Sequence, residues 1–108
     1  MPKKKINILG TEYKIVHYKK HNFQENADGE CFIYDKKIKI RKASKMLSDE
    51  CNEHEKRERY KEVLRHEITH SILFESGMSE YSRDENLVEW IAIKFPKLLE
   101  LFKKVDAL

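Results

Sequence analysis

The chain has 108 residues, of which 40% are hydrophobic and 38% are charged, and its formal net charge is +3 at pH 7. A chain of this length builds one hydrophobic core, so we expect a single domain over 1–108. No run of about 18 apolar residues is present, and the apolar segment after the basic N-terminus is too short for a signal peptide, which predicts a cytoplasmic protein without membrane contact. Cys31 and Cys51 lack the spacing of zinc ligands and are expected to be free thiols.

The charge is divided unevenly along the chain. Residues 1–45 hold 12 Lys and Arg against 5 Asp and Glu, whereas residues 46–108 hold 10 against 14. A basic half can bind nucleic acid or an acidic protein, but lysines also protect solvated sheet faces and edges from unwanted pairing. Because no motif that reads nucleic acid accompanies the charge, we expect a solvated sheet and no nucleic-acid partner.

The first 41 residues have the pattern of a small sheet. Segments 5–9, 13–17, 30–34 and 38–41 are rich in apolar and aromatic residues, and turn residues separate the two members of each pair. This predicts two hairpins that form an antiparallel β-sheet over 1–41.

A long helix is predicted over 52–76. Asn52 followed by Glu55 has the spacing of a capping box, and Gly77 suits the left-handed position that ends a helix. Apolar residues recur near helical spacing and predict a buried side: Val63, Leu64, Ile68, Ile72 and Phe74.

A second helical region is predicted over 83–105, starting near Arg83 or Asp84. Pro96 is expected to break or kink it after residue 94, and residues 97–105 then continue as helix. Strands followed by helices predict an α+β fold with the helices on one side of the sheet.

The long helix contains His66-Glu67-Ile68-Thr69-His70. Two histidines four residues apart project from one face of a helix and can bind one divalent metal ion. The glutamate after the first histidine then lies beside the water that the metal activates, where it can accept a proton. We therefore predict His66 and His70 as zinc ligands and Glu67 as the general base.

A catalytic zinc usually has three protein ligands, so we expect the third ligand to lie in the second helical region. If the chain reverses after residue 76, a helix that starts near Arg83 needs about six residues to return to the level of the metal. This favours Glu89 as the third ligand. Glu85 remains the alternative if the connecting loop turns back toward the site, or it contacts a histidine from outside the metal site.

Four other residues were considered for the site. His54 lies more than three helical turns before His66, too far to share its ion. His17 and His21 are more typical of surface histidines than of catalytic ones. Tyr81 lies between the helices, where its hydroxyl is a candidate donor to a developing oxyanion, although tyrosines commonly pack with a solvated hydroxyl.

The segment 63–70 resembles the active-site helix of zincin metallopeptidases, and 82–92 is similar to the glutamate-bearing helix of the gluzincin group. The arrangement resembles small phage and mobile-element proteins of the ImmA/IrrE-like metallopeptidase family. The resemblance implies a minimal zincin fold, Zn²⁺ as cofactor, His66 and His70 as ligands and Glu67 as base. It leaves Glu85 and Glu89 both open, and it implies a protein substrate, in particular a regulatory repressor.

The predicted function is thus zinc-dependent hydrolysis of a peptide bond in a protein. The segment 38–41 is expected to pair with an extended substrate as an added strand. The alternative is a catalytically silent, zinc-stapled module that binds or inhibits a regulatory protein, which the small size of the chain favours because little material remains for a specificity pocket.

Overall fold

The computed structural model describes residues 3–18 and 27–108. They form an α+β fold in which a four-stranded sheet precedes the helices, as predicted. A single 3₁₀ turn, Ala43–Lys45, connects the sheet to the helices. The strands and helices in chain order are β1 Lys3–Ile8, β2 Thr11–Tyr18, β3 Gly29–Phe32, β4 Lys37–Arg41, α1 Glu53–Glu75, α2 Ser79–Ser82 and α3 Glu85–Lys104.

The sheet is mixed, and the prediction of a purely antiparallel sheet is wrong in this respect. Both hairpins are antiparallel, β1 with β2 and β3 with β4. The strand order is β1-β2-β4-β3, so the hairpins meet through β2 and β4, which run parallel. Alternation of apolar residues determines which face of a strand is buried but not which strand becomes its neighbour, and the sequence pattern therefore missed this pairing.

One face of the sheet forms the core with α1. Ile38 and Ile40 in β4 are fully buried, and so is Tyr13 in β2. Met46 follows the 3₁₀ turn and closes this cluster, while Val63 enters it from α1. The alternating burial along β4 is the period of two expected when one face of a strand packs and the other is more solvated.

The opposite face of the sheet carries part of the basic charge of the N-terminal half. Lys39 Nζ lies 5.1 Å from the ring centroids of both Tyr18 and Phe32, and Lys37 Nζ lies 5.8 Å from that of Phe32. Lysine stems therefore cover aromatic rings on this face while their charges remain near solvent.

Both ends of α1 follow the predicted capping signals. Asn52 Oδ1 accepts from the Glu55 backbone N–H, and the Glu55 carboxylate accepts from the Asn52 N–H, which completes a capping box. At the other end Gly77 has φ +81°, and Met78 N–H donates to the Leu73 carbonyl at 2.9 Å. This is a Schellman motif, and it reverses the chain directly after the helix.

The last residue of α1 anchors the helix to the turns of the sheet. The Glu75 carboxylate accepts from Thr11 Oγ1 at 3.0 Å, from Tyr13 Oη at 2.7 Å and from Lys36 Nζ at 2.7 Å. The contact with Lys36 contributes most to lowering the pKa of Glu75 below its usual value, and the Tyr13 and Thr11 bonds add to it. Burial and the same carboxylate raise the pKa of Tyr13.

The helix α3 continues through Pro96, so of the predicted break or kink at this residue the break is wrong. Proline has no N–H, and it leaves the carbonyl of Ala92, four residues earlier, without its usual donor. Arg65 Nε on α1 donates to this carbonyl at 2.6 Å. Because Ala92 is fully buried, this bond supplies a partner that water cannot provide. The tertiary contact thus compensates for the local defect.

Two further predictions from the sequence concern membrane-spanning helices and the state of the cysteines. Across 3–18 and 27–108, none of the helices combines the length and apolar character that crossing a bilayer requires. Cys31 and Cys51 are both free thiols. Burial and the nearby Glu67 raise the pKa of Cys31 to about 12, so this thiol stays protonated and unreactive near neutral pH.

Candidate metal centre

His66 and His70 lie one turn apart on α1, and their Nε2 atoms are 3.2 Å from each other. The ring planes meet at 69°, with centroids 4.9 Å apart. His70 is 9% exposed because α1 is covered there by the α2 segment. The spacing of four residues thus brings both imidazoles to one point, as the sequence predicted.

The other ring nitrogen of each histidine has its own partner. His66 Nδ1 donates to the Glu89 carboxylate at 3.0 Å, and His70 Nδ1 donates to the backbone carbonyl of Ser82. A carbonyl only accepts, so His70 carries its proton on Nδ1, and we assign the same tautomer to His66 because a carboxylate accepts as well. The Nε2 lone pairs of both rings then point into the space between them, as in histidines that bind metals.

The third atom at this point belongs to Glu85. Its Oε1 lies 3.0 Å from His66 Nε2 and 3.2 Å from His70 Nε2. Three lone-pair donors this close repel one another unless a proton or a cation lies among them. In a tetrahedral zinc site with bonds of about 2.05 Å, ligand atoms are about 3.3 Å apart, so these three atoms fit Zn²⁺ with one position left for water.

The arrangement differs from the prediction that Glu89 is the third ligand. Glu85 Oε1 is the carboxylate oxygen near both Nε2 atoms, whereas Glu89 contacts the far nitrogen of His66. The reason is the path of the connection between α1 and α3. Ser82 returns to the site, where its Oγ donates to the His70 carbonyl at 2.7 Å and its own carbonyl accepts from the ring. The next helix therefore starts at the level of the metal centre, and its first residue reaches it.

His66 also interacts with the acidic groups around it. Burial by itself lowers the pKa of its imidazole, but the hydrogen bonds with Glu89 and Glu85 and the charge of Glu67 together outweigh burial and raise this pKa. A proton and a metal ion would therefore compete for the same Nε2 lone pair.

Glu67 lies on the side of α1 that faces the sheet and is only 7% exposed. Burial is the main cause that raises the pKa of Glu67 to about 7, and the charges of Glu85, Glu30 and Glu89 act in the same direction against the lowering effect of His66. A carboxyl group whose pKa is near 7 can both accept and release a proton at neutral pH, which is the property that general acid–base catalysis requires.

Gly29 allows α1 to pack closely against β3 beside Glu67. A Cβ at this position would lie 2.8 Å from Val63 Cγ1 and 3.1 Å from Glu67 Cγ. Only glycine fits such a contact without a shift of the helix or the strand. This residue was missed as part of the site, although a glycine that opens a strand is a recognised signal of close backbone approach.

A cavity of about 500 Å³ opens over the metal centre, between β3 and the α2–α3 connection. A second cavity of about 180 Å³ lies on the other side of His66 and shares Gly29 and Glu67 with it. Together they form a cleft along β3. The residues that line the larger cavity are Gly29, Glu30, Cys31, Ile33, His66, Glu67, His70, Ser82, Arg83 and Glu85.

The strand beside this cleft is β3, so the prediction that 38–41 pairs with a substrate is wrong. β4 has β2 on one side and β3 on the other, and both of its edges are used. Within the described ranges 3–18 and 27–108, β3 pairs with β4 alone and is an edge of the sheet. Oε1 of Glu30, on this strand, is buried and has no hydrogen-bond partner at the cleft wall.

The remaining candidates that the structure describes lie away from the candidate metal centre. Tyr81 is 51% exposed and does not line the cavity. His17 contacts the Tyr60 hydroxyl and stacks on its ring, and His54 is exposed at the start of α1. His21 lies outside the described residues. Arg83, which does line the cavity, was not singled out from the sequence.

A scan against protein-family models, a search of curated proteins and a search of solved structures each gave no match for this chain.

Proposed function

We propose that the protein is a zinc-dependent endopeptidase that hydrolyses a peptide bond in a protein substrate. The observation that supports this most directly is the convergence of His66 Nε2, His70 Nε2 and Glu85 Oε1 beside the buried carboxyl of Glu67. The resemblance of 63–70 to the zincin active-site helix supports the same reaction class. In this proposal Glu85 replaces Glu89 as the third ligand.

Each residue of the centre has a distinct role in this proposal. His66, His70 and Glu85 hold the ion, and a bound Zn²⁺ supplies Lewis acidity that polarises a carbonyl and lowers the pKa of water. Glu67 accepts a proton from the attacking water and delivers it to the leaving amine. Glu89 and the Ser82 carbonyl keep both imidazoles in the tautomer that presents Nε2.

The open edge of β3 is proposed to bind the substrate. An extended peptide that added itself to this edge would pass along the cleft, in front of Glu67 and His66. The resemblance to ImmA/IrrE-like peptidases supports a regulatory protein as that substrate. The free thiols Cys31 and Cys51 support a cytoplasmic location.

Metal content of the purified variants tests the ligand set. We expect about one zinc per chain in the wild type and loss of it in His66→Ala and Glu85→Ala. Glu89→Ala should keep zinc with an affinity weakened by about 10–100-fold, because that residue orients a ligand and does not bind the ion. Loss of zinc in Glu89→Ala but not in Glu85→Ala would reverse this assignment, and a wild type that takes up no added zinc would refute the metal centre.

Glu67→Gln separates hydrolysis from binding. The substitution keeps the size of the side chain and removes its ability to accept a proton, so we expect zinc content to stay and cleavage of an unfolded protein mixture to fall by at least about 100-fold. Mass spectrometry of the products identifies the cut sites. Unchanged cleavage by this variant would refute the role of Glu67, whereas a wild type that binds a partner protein with zinc present and never cuts it would favour the silent binding module.

A further inference from the structure

An apolar stripe with the spacing of a helix–helix contact runs from the middle of α3 to its C-cap, and it is partly exposed at Ile91 and Leu98 and exposed at its other members. Its members follow one another at intervals of four, three, four and three residues, and they are Ile91, Phe95, Leu98, Phe102 and Val105. This is the alternation of the a and d positions through which helices pair with one another. Phe95, Phe102 and Val105 are 49%, 44% and 73% exposed.

Among residues 3–18 and 27–108, which the structure describes, none covers the end of this helix. Every residue over 100–108 is exposed, among them Leu101 and Leu108 at 51% and 71%. An isolated helical end is marginally stable in water, and most helical stability in proteins comes from an apolar face that is buried. A helix that keeps its apolar side chains in solvent over its last two turns therefore lacks its stabilising contact.

The stripe continues into an apolar groove between α1 and α3. The groove has a volume of about 310 Å³, and its walls include Ile68, Ile72 and Leu73 of α1 opposite Ile91 and Phe95 of α3. Stripe and groove thus form one contiguous surface, half of it a projecting helix and half of it a depression.

We propose that this surface pairs two copies of the chain in a two-fold symmetric dimer. The projecting stripe of each protomer lies in the groove of the other, so that one repeated contact covers both halves of the surface. A flat lipid surface would cover the projecting helix but would not fill the groove. The shape of the surface therefore favours a second copy over a membrane.

The available area agrees with a stable dimer. Four members of the surface, Ile72, Phe95, Phe102 and Val105, are 42–73% exposed and together offer about 400 Å² of apolar area per protomer. A specific interface buries roughly 500 Å² or more per partner, of which a little over half is apolar, so these four residues are enough for its apolar centre. Glu85 and Glu89 project from the other side of α3, as their positions on a 3.6-residue turn require, so the dimer leaves the metal centre open.

Sedimentation equilibrium of the full chain tests the proposal with a matched pair of variants. Phe102→Glu places a charge in the stripe, whereas Ile93→Glu places the same charge at a residue of α3 that is 46% exposed on the opposite side. We expect the wild type and Ile93→Glu to have about twice the chain mass of 13.0 kDa. Phe102→Glu should be monomeric or dissociate at least about tenfold more readily. Circular dichroism checks that both variants are folded.

Each other outcome contradicts the dimer. A monomeric wild type overturns it, and binding of that monomer to vesicles of anionic phospholipid would assign the stripe to a membrane surface instead. A dimer that persists in both Phe102→Glu and Val105→Glu would show that another face pairs the protomers. Equal loss of the dimer in Ile93→Glu would exclude the stripe as the specific contact.

Discussion

At the scale of single residues, the position of the Glu67 carboxyl depends on the lack of a side chain at Gly29. Gly29 lets the backbone of β3 approach Val63 at a distance that a Cβ does not tolerate, and it approaches Glu67 more closely than most Cβ atoms do. The burial that raises the pKa of Glu67 to about 7 results in part from this approach. The pKa of Glu67, the proposed general base, therefore depends on the sheet as well as on α1.

Gly29→Ala should damage the site through this contact. The added methyl group must displace α1 or Glu67, so we expect a loss of about 1–3 kcal/mol in the free energy of unfolding together with lower activity. Val63→Ala in the same chain removes the closest atom, Cγ1, and should make Gly29→Ala less harmful than it is alone. Urea denaturation of the four combinations measures this coupling, and strictly additive losses would contradict the proposed clash.

A second single-residue effect depends on pH. In the folded protein the pKa of Glu75 lies below its usual value of 4.5 because the carboxylate contacts Lys36 and accepts hydrogen bonds from Tyr13 and Thr11. These contacts therefore stabilise the fold above pH 4.5. That contribution disappears as the pH falls through the folded pKa and the carboxylate is protonated. Glu75→Gln should therefore lower stability by about 1 kcal/mol at neutral pH.

The difference between wild type and Glu75→Gln should shrink as the pH falls below 4.5. Chemical denaturation at a series of pH values measures it, and Glu12→Gln, at an exposed carboxylate whose contact with Lys5 is 4.0 Å long, serves as the control. A difference between wild type and Glu75→Gln that did not change with pH would contradict the role given to the charge.

Residues of the candidate metal centre could be placed together from the sequence to the extent that they lie on one helix. The interval from His66 to His70 fixes their common face, and the position of Glu67 follows from the motif. The choice between Glu85 and Glu89 depended on the path of the loop, and the contact that sets this path uses the backbone carbonyl of Ser82. Every residue has a backbone carbonyl, so no residue type in the sequence indicates this contact.

At the scale of secondary structure, local signals located the helix ends well and the interior of α3 poorly. The capping box at Asn52 and the glycine at position 77 are local features, and the structure has both. Asp84 likewise caps α3 by accepting from the Asn86 and Leu87 N–H groups. Pro96 suggested a break because its effect on the helix is local, whereas the compensation from Arg65 comes from another element.

A double-mutant cycle between Arg65 and Pro96 tests this compensation. Arg65→Met keeps much of the apolar stem but leaves the buried Ala92 carbonyl without a donor, which should cost about 1–3 kcal/mol. In a Pro96→Ala background residue 96 has its own N–H for this carbonyl, so the same substitution should cost clearly less. Thermal or urea unfolding gives both values, and equal costs in the two backgrounds would show that the Arg65 bond is not needed because of Pro96.

At the scale of the whole molecule, the metal centre joins elements that are distant in the chain. His66 and His70 belong to α1 and Glu85 to α3, and Ser82 holds the connection between them. An unfolded chain does not bring these groups together, so a metal ion bound at the proposed centre would add its binding free energy to the stability of the folded state.

If zinc occupies this centre as we propose, its removal should destabilise the protein as a whole. At a free zinc concentration about 100 times the dissociation constant, the ion contributes about 3 kcal/mol, which corresponds to a rise in Tm of about 10–20 °C for a domain of this size. Differential scanning calorimetry with and without a chelator measures it. Glu67→Gln should keep this shift and His66→Ala should lose it; a shift of equal size in His66→Ala would mean that zinc binds elsewhere.

The shortness of β3 has a consequence for what the proposed enzyme would cut. The strand has four residues, so an incoming chain gains its ladder of hydrogen bonds only where it is extended over a similar length. Helices and internal strands of a folded protein have already used those backbone groups and cannot present them. The proposed activity would therefore select linkers over domains, so that a two-domain target would be separated into two intact halves.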